Sequence, residues 1–370
     1  MARKLYISAD LRRVGPTNQT LNIILNANDN LDEVLVLTLF AEPEKTMMQD
    51  YLDKGIKVES LNLERGKFFF VCKALYDYLK HNSFDFVHSN GVKPDICLYF
   101  VSKLLEFKHV ITLRNIPMED APTRMNKWVG LIIGKIHTYV IKHSKCVVAC
   151  SKTVCEVMTS KYGCKDIHVI QNGVDVEKFV TLDKIKCRQK IGIPRDAKVC
   201  ISTGSFIPRK HNDLLIKAFL EINVPNSILI MLGEGGMLND CKAKYSNFAN
   251  VRFEGLVSNV REYLSASDVF VSASESEGLP NAVLEAVACN LPVVLSDISQ
   301  HREILDALPN CGVLFPLNNV SSMSDRINVM FNSLNRYFDV SKQLLNSPFT
   351  MERMGAHYKS YYECMQGLGV

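Results

Sequence analysis

Hydrophobic and polar positions along this chain alternate on two length scales: short β-branched and aromatic runs, and longer segments with apolar residues at helical spacing. The short runs fall at Leu5 to Ala9, Val34 to Leu39, Val58 to Leu61, Phe86 to His88, Val110 to Leu113 and Cys146 to Ala149. A second series follows at His168 to Ile170, Val199 to Thr203, Ile228 to Leu232, Val251 to Phe253, Val269 to Ser272, Val293 to Leu295 and Val313 to Phe315. Strands alternating with helices predict parallel sheets covered on both faces, the doubly wound α/β class. Gly and Asn residues between Tyr162 and Asp175 mark a break. The pattern therefore predicts a Rossmann-like N-terminal domain over residues 1–165 and a second one over 166–350. Beyond Met351, residues Met354, Tyr358, Tyr361, Tyr362 and Met365 lie at helical spacing and predict a helix over 351–370 that docks back on the first domain.

The length of 370 residues fits two domains of ordinary size. With 47% hydrophobic and 22% charged residues, composition excludes a disordered or fibrous chain. The start runs from Met1 to Lys4 directly into the first strand, which predicts no secretory signal. No apolar run approaches the ~18 residues of a spanning helix. The 12 cysteines form no Cys-x-x-Cys pair, and several sit in apolar strands, such as Cys146, Cys150 and Cys200. They read as small core residues in a reducing cytosol. Net charge is only +4, but cations exceed acids in the first 165 residues and acids slightly exceed cations afterwards. A basic first half attracts phosphates or an anionic membrane surface. Lys/Arg and Asp/Glu nearly balance overall and no basic-aromatic platform stands out, so no nucleic-acid partner is expected.

Chemistry concentrates between Ser274 and Ala286. Glu277 and Glu285 bracket a Gly278-Leu279-Pro280 turn directly after an apolar strand. A helix beginning near Pro280 points unpaired N–H groups at that loop, which suits an anionic or hydroxyl-rich ligand. By spacing alone, the alternative of two solvated acids stands. After the first strand, Gly15 precedes Pro16 and Thr17; either a ligand approaches the backbone there, or this is a tight turn with Thr17 as helix cap. In the second half, Gly204 and Ser205 lead to Arg209, Lys210 and His211. That loop reads as a clamp for a nucleotide diphosphate or as solvated surface cations. Gly233-Glu234-Gly235-Gly236 breaks the dinucleotide fingerprint because Leu238 occupies its sixth position. Neither a His-Glu-x-x-His motif nor an Asp-x-Asp pair occurs, so no metal site is indicated.

Taken in order, Asn172 to Asp175, Gly204 to Lys210, Gly233 to Gly235, Val251 to Gly255, and Glu277 to Glu285 followed by Leu291 to Val294 and Glu303 resemble the retaining glycosyltransferases of family 4. The resemblance is strong over about residues 145–305 and topological elsewhere. It implies the GT-B fold, two Rossmann-like domains facing across a cleft. It also implies that Glu277 lies at the donor sugar with the amides of Gly278 and Leu279 beside Pro280, and that Glu285 meets the nucleotide ribose. Lys210, with Arg209, would neutralise the diphosphate. Gly15 would approach that diphosphate from the other domain; Gly204, Ser205, Gly233 and Glu234 would line the donor site, and Leu256 and Val257 would hold the base. Departures are Ser205 where many members carry Arg, Gly15-Pro16 for a Gly-Gly pair, Asn290 for a Gly, and Arg114-Asn115 where many carry a sugar-contacting His. Arg114, Asn115 and Asn172 are candidates for sugar or acceptor contacts.

The implied activity is retaining, metal-independent transfer of a hexose or N-acetylhexosamine, with no cofactor. The donor would be a nucleotide-diphosphate sugar, a UDP-sugar favoured over a GDP-sugar. The acceptor would be a lipid-linked oligosaccharide of surface polysaccharide. A sugar-nucleotide epimerase and a noncatalytic sugar-nucleotide-binding subunit are the alternatives. Between Thr123 and Lys145, Trp128, Ile132, Ile136 and Tyr139 share a helical face beside Arg124, Lys127, Lys135 and Lys142. The segment 124–145 is thus either a core-facing helix with a solvated side or an anionic-membrane contact, with Phe68 to Phe70 as a second contact. The expected location is cytoplasmic, peripheral at the inner face of the plasma membrane.

Overall fold

The computed structural model describes residues 3–337 and 339–367. The chain divides into two compact units, Met1–Gly173 with Met351–Val370, and Val174–Thr350. Among the described residues the first unit holds a seven-stranded parallel sheet: β1 (Lys4–Ser8), β2 (Val34–Phe40), β3 (Lys57–Leu63), β4 (Phe86–Asn90), β5 (Lys108–Leu113), β6 (Cys146–Ala149) and β7 (Ile167–Val169). Their order is β3-β2-β1-β4-β5-β6-β7. Every residue of β2 is buried, as in a strand covered by helices on both faces. Alternate residues supply the two faces: Tyr6, Val36 and Phe86 one core, Leu5, Leu37 and Val87 the other.

The expected break at residue 165 falls too early. β7 pairs in parallel with β6, Val147 opposite Ile167, and so completes the first sheet. A three-residue strand carries no sequence mark of the sheet it will join. The change of unit comes at Gly173, and the Val174 amide donates to the Phe349 carbonyl at 2.9 Å, so the chain enters and leaves the second unit at adjacent points.

The helix Met351–Gly367 returns to the first unit, where Gly355 packs against the backbone of Asn26. The last three positions of the expected 351–370 helix lie outside the described residues. Tyr362 stacks on Phe86 with ring centroids 4.5 Å apart. His88 hydrogen-bonds through Nδ1 to the Tyr362 hydroxyl (2.8 Å) and through Nε2 to Thr112 (2.7 Å), and Thr112 meets the Tyr358 hydroxyl at 2.9 Å. Burial pushes His88 down to about 3, with Arg114 acting the same way. The network is thus neutral at physiological pH and avoids a buried charge.

The expected long helix over Thr123 to Lys145 is two helices, Pro117–Arg124 and Lys127–Lys142. Asn126 divides them by capping the second, its side chain accepting from the Trp128 amide at 3.1 Å. Gly130 makes the hairpin close, since a Cβ there would lie 2.5 Å from the Pro122 Cα.

The second unit, among the described residues, holds a six-stranded parallel sheet of β8 (Lys198–Thr203), β9 (Ser227–Leu232), β10 (Val251–Gly255), β11 (Val269–Ser272), β12 (Val293–Ser296) and β13 (Gly312–Phe315). The order is β10-β9-β8-β11-β12-β13. Direction along the sheet reverses between β8 and β11, which pair directly with Val269 opposite Cys200. Loops leaving the carboxyl ends of two such neighbours part to opposite sides and leave a crevice, the usual ligand position in open α/β sheets.

Candidate functional site

The reversal explains why residues 67 apart in sequence meet. The β8 loop carries Gly204 to Lys210, and the β11 loop carries Ala273 to Pro280. Glu277, only 5% exposed, sits between them: Arg209 Nη1 donates to Glu277 Oε2 at 3.1 Å, and Lys210 Nζ ion-pairs with Glu277 Oε1. Arg209 also donates to the Ser276 carbonyl, and the Glu275 amide donates to the Arg209 carbonyl at 2.8 Å. Burial by itself would raise the Glu277 carboxyl, but Lys210 and Arg209 outweigh it and hold the group well below the ordinary carboxylate range. Arg209 is buried beneath the acid, whereas Lys210 stays closer to solvent beside the exposed Gly204 and Ser205.

A second layer, which sequence reading missed, supports the acid from below. Ser274 hydrogen-bonds Glu277. Ser296 Oγ donates to the Ser274 carbonyl at 2.5 Å, and His301 Nδ1 lies 2.7 Å from the Ser296 carbonyl. Hence His301 Nδ1 carries the proton. Burial lowers His301 to about 4, keeping the ring neutral below Glu277. Ser296 ends β12 and Ser274 follows β11, and the pairing of these two strands is what brings the residues together.

The helix Asn281–Ala288 begins after Pro280, which gives no side-chain cap, so its positive N-terminal end faces the β11 loop. Gly278, Leu279 and Pro280 are buried in front of it. Glu285 lies one turn from its end, and its carboxyl has no hydrogen-bond partner among the described residues. Protein crowds that carboxyl, and burial raises it to about 7, with Lys178 opposing the shift. Between the ordinary 4.5 and about 7 the folded unit therefore favours the neutral acid. The stability so contributed is complete below 4.5 and declines as pH rises through about 7. Glu285→Gln is expected to flatten this decline in thermal unfolding followed from about pH 5 to 8. An unchanged slope would place its origin elsewhere.

The glycines expected to line the site act first on packing. A Cβ on Gly233, at φ +131, would stand 1.8 Å from the Gly204 carbonyl oxygen, and one on Gly235 would stand 2.4 Å from that of Phe206. Backbone bonds close the same seam: Gly204 N–H to the Leu232 carbonyl (3.0 Å), Phe206 N–H to Glu234 (2.9 Å) and Gly233 N–H to Gly255 (2.7 Å). The glycine run that fails as a dinucleotide fingerprint thus lets the β9 loop seat the β8 loop and orient Lys210. Glu234 is exposed beside this seam, Leu256 is 36% exposed after β10, and Val257 is partly covered.

The first unit places its own candidates at the carboxyl ends of its strands. Gly15 opens the helix Gly15–Ala27. Thr17 is therefore inside the first turn, not the cap, and its carbonyl accepts from the Tyr51 hydroxyl at 2.7 Å. Arg114, half-buried after β5, donates to Asn172 Oδ1 at 2.8 Å and has no carboxylate partner among the described residues. Asn115 follows it, half-buried.

One face of this unit stays apolar. Phe69, Phe68, Phe100, Tyr99 and Tyr139 follow one another at centroid separations of 5.8, 6.3, 5.5 and 6.3 Å, linking three helices. Phe69 is 84% and Trp128 73% exposed, and Ile132, Ile136 and Tyr139 continue the stripe. Among the described residues no helix is long and apolar enough to cross a membrane, and no group of three or more His, Cys, Asp or Glu is placed to hold a metal ion.

Residues 15–178 match the family described as Glycosyltransferase Family 4, and residues 183–343 match Glycosyl transferases group 1. A UDP-Gal:alpha-D-GlcNAc-diphosphoundecaprenol alpha-1,3-galactosyltransferase of Escherichia coli is 29% identical over 299 residues, 75% of this chain and 76% of the relative. The O-antigen biosynthesis glycosyltransferase WclY of Escherichia coli is 24% identical over 364 residues, 96% of this chain and 97% of the relative. Among solved structures, Anabaena Alr3699/HepE in complex with UDP-glucose superposes with a TM-score of 0.83 at 18% identity, covering 100% of both chains. With two matched regions spanning nearly the whole sequence and two Rossmann-like units, the chain belongs to the glycosyltransferases of the GT-B fold, a family 4 half followed by a group 1 half.

Proposed function

We propose that this glycosyltransferase moves a hexose or N-acetylhexosamine from a UDP-sugar to a lipid-linked oligosaccharide in O-antigen or related surface-polysaccharide synthesis, with retention of configuration and without a metal ion. The observation that carries the reading is the helix Asn281–Ala288, with the cation-braced Glu277 before its start and the unpartnered Glu285 carboxyl within it. An unpartnered acid of raised pKa suits the hydroxyls of a ribose. The uncapped helix start and Lys210 suit the diphosphate, whose charge grows as it departs. A UDP donor is supported by the one relative whose name specifies UDP-Gal and by the solved neighbour in complex with UDP-glucose.

In this reading Gly278 and Leu279 offer backbone to the sugar, Leu256 and Val257 border the base, and Arg209 braces Glu277. A carboxylate held by two cations is a poor nucleophile, so Glu277 orients the sugar while the acceptor hydroxyl attacks on the face the leaving group vacates. Arg114, Asn115 and Asn172 of the first unit take the acceptor side, and Gly15 the diphosphate. The apolar ring stripe with Lys127, Lys135 and Lys142 rests on the inner face of the plasma membrane.

A panel of UDP- and GDP-sugars tested for thermal stabilisation, then for transfer to lipid-linked acceptors in anionic vesicles, decides the matter. UDP-sugars are expected to raise Tm, and Lys210→Met to lower kcat/KM about 10²- to 10³-fold. Stabilisation by none of the sugars removes the donor site, and a covalent glycosyl adduct on Glu277 removes the front-face mechanism.

A further inference from the structure

Three cations of the first unit, Arg12, Arg65 and Lys93, gather around one ion-paired acid, Asp10, and the ring of Phe40. Asp10, buried at the end of β1, accepts a bidentate bond from Arg12 (2.8 and 2.7 Å) and an ion pair from Arg65 in the β3 loop. Burial opposes ionisation of Asp10, but the two arginines prevail and keep it lowered. Arg65 also lies over the Phe40 ring, 5.2 Å from its centroid, and Lys93 lies over the same ring at 4.8 Å. Lys93 is half-buried and has no hydrogen bond or carboxylate partner among the described residues. It occupies the second position of the helix Val92–Val101, which starts after Gly91 without a side-chain cap. The nearby Glu42 is taken up by the Leu11 amide and the Thr46 hydroxyl.

One carboxylate among three cations leaves this region net positive, and Lys93 has no carboxylate of its own among the described residues to offset it. Uncapped helix amides facing the same region add to the positive potential. Next to this cluster the surface turns apolar: Lys67 lies over Phe70, Phe69 is exposed, and Phe68 meets Phe100. Leu104 beyond them is 72% exposed. A fixed multivalent cation site opening onto exposed rings matches a molecule with a dianionic head and a hydrocarbon tail.

We propose that Arg65 and Lys93, with Arg12 and the start of the helix Val92–Val101, bind the diphosphate of a polyprenyl diphosphate-linked acceptor, whose tail leaves over Phe69, Phe70 and Phe100. This rests on the acceptor class proposed above and assigns it a subsite. Phe40 sets the spacing of the two cations, and Asp10 fixes the guanidinium planes so that their outer N–H groups face the anion.

The test titrates farnesyl diphosphate into the full chain at saturating UDP, with farnesyl monophosphate, inorganic pyrophosphate and phosphatidylglycerol vesicles as parallel probes. Arg65→Gln and Lys93→Met are each expected to weaken farnesyl diphosphate about tenfold while UDP affinity is unchanged, the loss typical of one charge-assisted contact. Farnesyl monophosphate is expected to bind the wild type less tightly. Farnesyl diphosphate affinity unchanged in both variants overturns the proposal. So does pyrophosphate binding as tightly as farnesyl diphosphate, which marks a free-anion site, or a loss confined to vesicle binding, which marks a membrane surface. Failure of the wild type to bind UDP counts against the donor reading alone, because farnesyl diphosphate binding is read directly.

Discussion

Glu277→Gln is expected to abolish measurable transfer, a loss of about 10³-fold or more, and to weaken the second unit at the same time. The carboxylate is the shared partner of a buried guanidinium and a largely buried ammonium. Removing one member of a buried ion pair costs about 3–5 kcal/mol, because the charges left behind lose their compensation. Glutamine keeps one acceptor oxygen, so the lower part of that range applies. The pH dependence separates this from a generic loss. The folded Glu277 pKa lies below the ordinary 4.5, so its stabilisation is present above 4.5 and fades as pH falls toward the folded value. The Gln variant should therefore lose stability at neutral pH and show a shallower acid limb in chemical denaturation. A variant as stable as wild type at pH 7, with an unchanged acid limb, would rule out the ion-pair account. Two units unfold here, so each transition needs its own fit.

Gly233→Ala has the second large expected effect, and its origin is steric. The backbone at φ +131 is hostile to any side chain, and the added methyl would sit 1.8 Å from the Gly204 carbonyl oxygen. Neither loop can retreat without breaking the hydrogen bonds from Gly204 to Leu232 and from Phe206 to Glu234. A cost of about 4 kcal/mol or more is expected, seen as lost soluble expression or a large drop in the Tm of the second unit. Gly236→Ala is the control, because nothing lies within 4 Å of its added methyl. Equal Tm values for the two variants would show that the seam can open.

The thirteen strands among the described residues were legible from β-branched and aromatic runs, and for central strands such as β2 this follows because a strand buried on both faces needs an unbroken apolar segment. Their sheet membership was not. His168 to Ile170 looked like the start of the second domain, and only pairing with β6 put it in the first sheet. The segment from Thr123 to Lys145 read as one helix because Met125 and Asn126 break no periodicity; the Asn126 cap divides it. The Glu277 and Glu285 pair was visible by spacing, and the order of motifs resolved which reading of it to prefer. Arg209 and Lys210 are adjacent in sequence, and the resemblance assigned the diphosphate to Lys210 with Arg209 beside it. The turn after β8 sends Arg209 under Glu277 and leaves Lys210 beside the exposed loop. His301 and Ser296 carried no chemical signature, since their part depends on lying beneath an acid more than ten residues away.

By itself, then, the sequence determined the fold class and the strand positions, since these depend on hydrophobic periodicity, and the order of its motifs singled out Glu277 and Glu285. The tertiary structure decided which cation braces Glu277, which glycines are obligatory, and that Arg65 and Lys93 share one ring. Those facts follow from the reversal of strand order in each sheet, which brings loops distant in sequence to neighbouring positions, and no local pattern of residues encodes that distance.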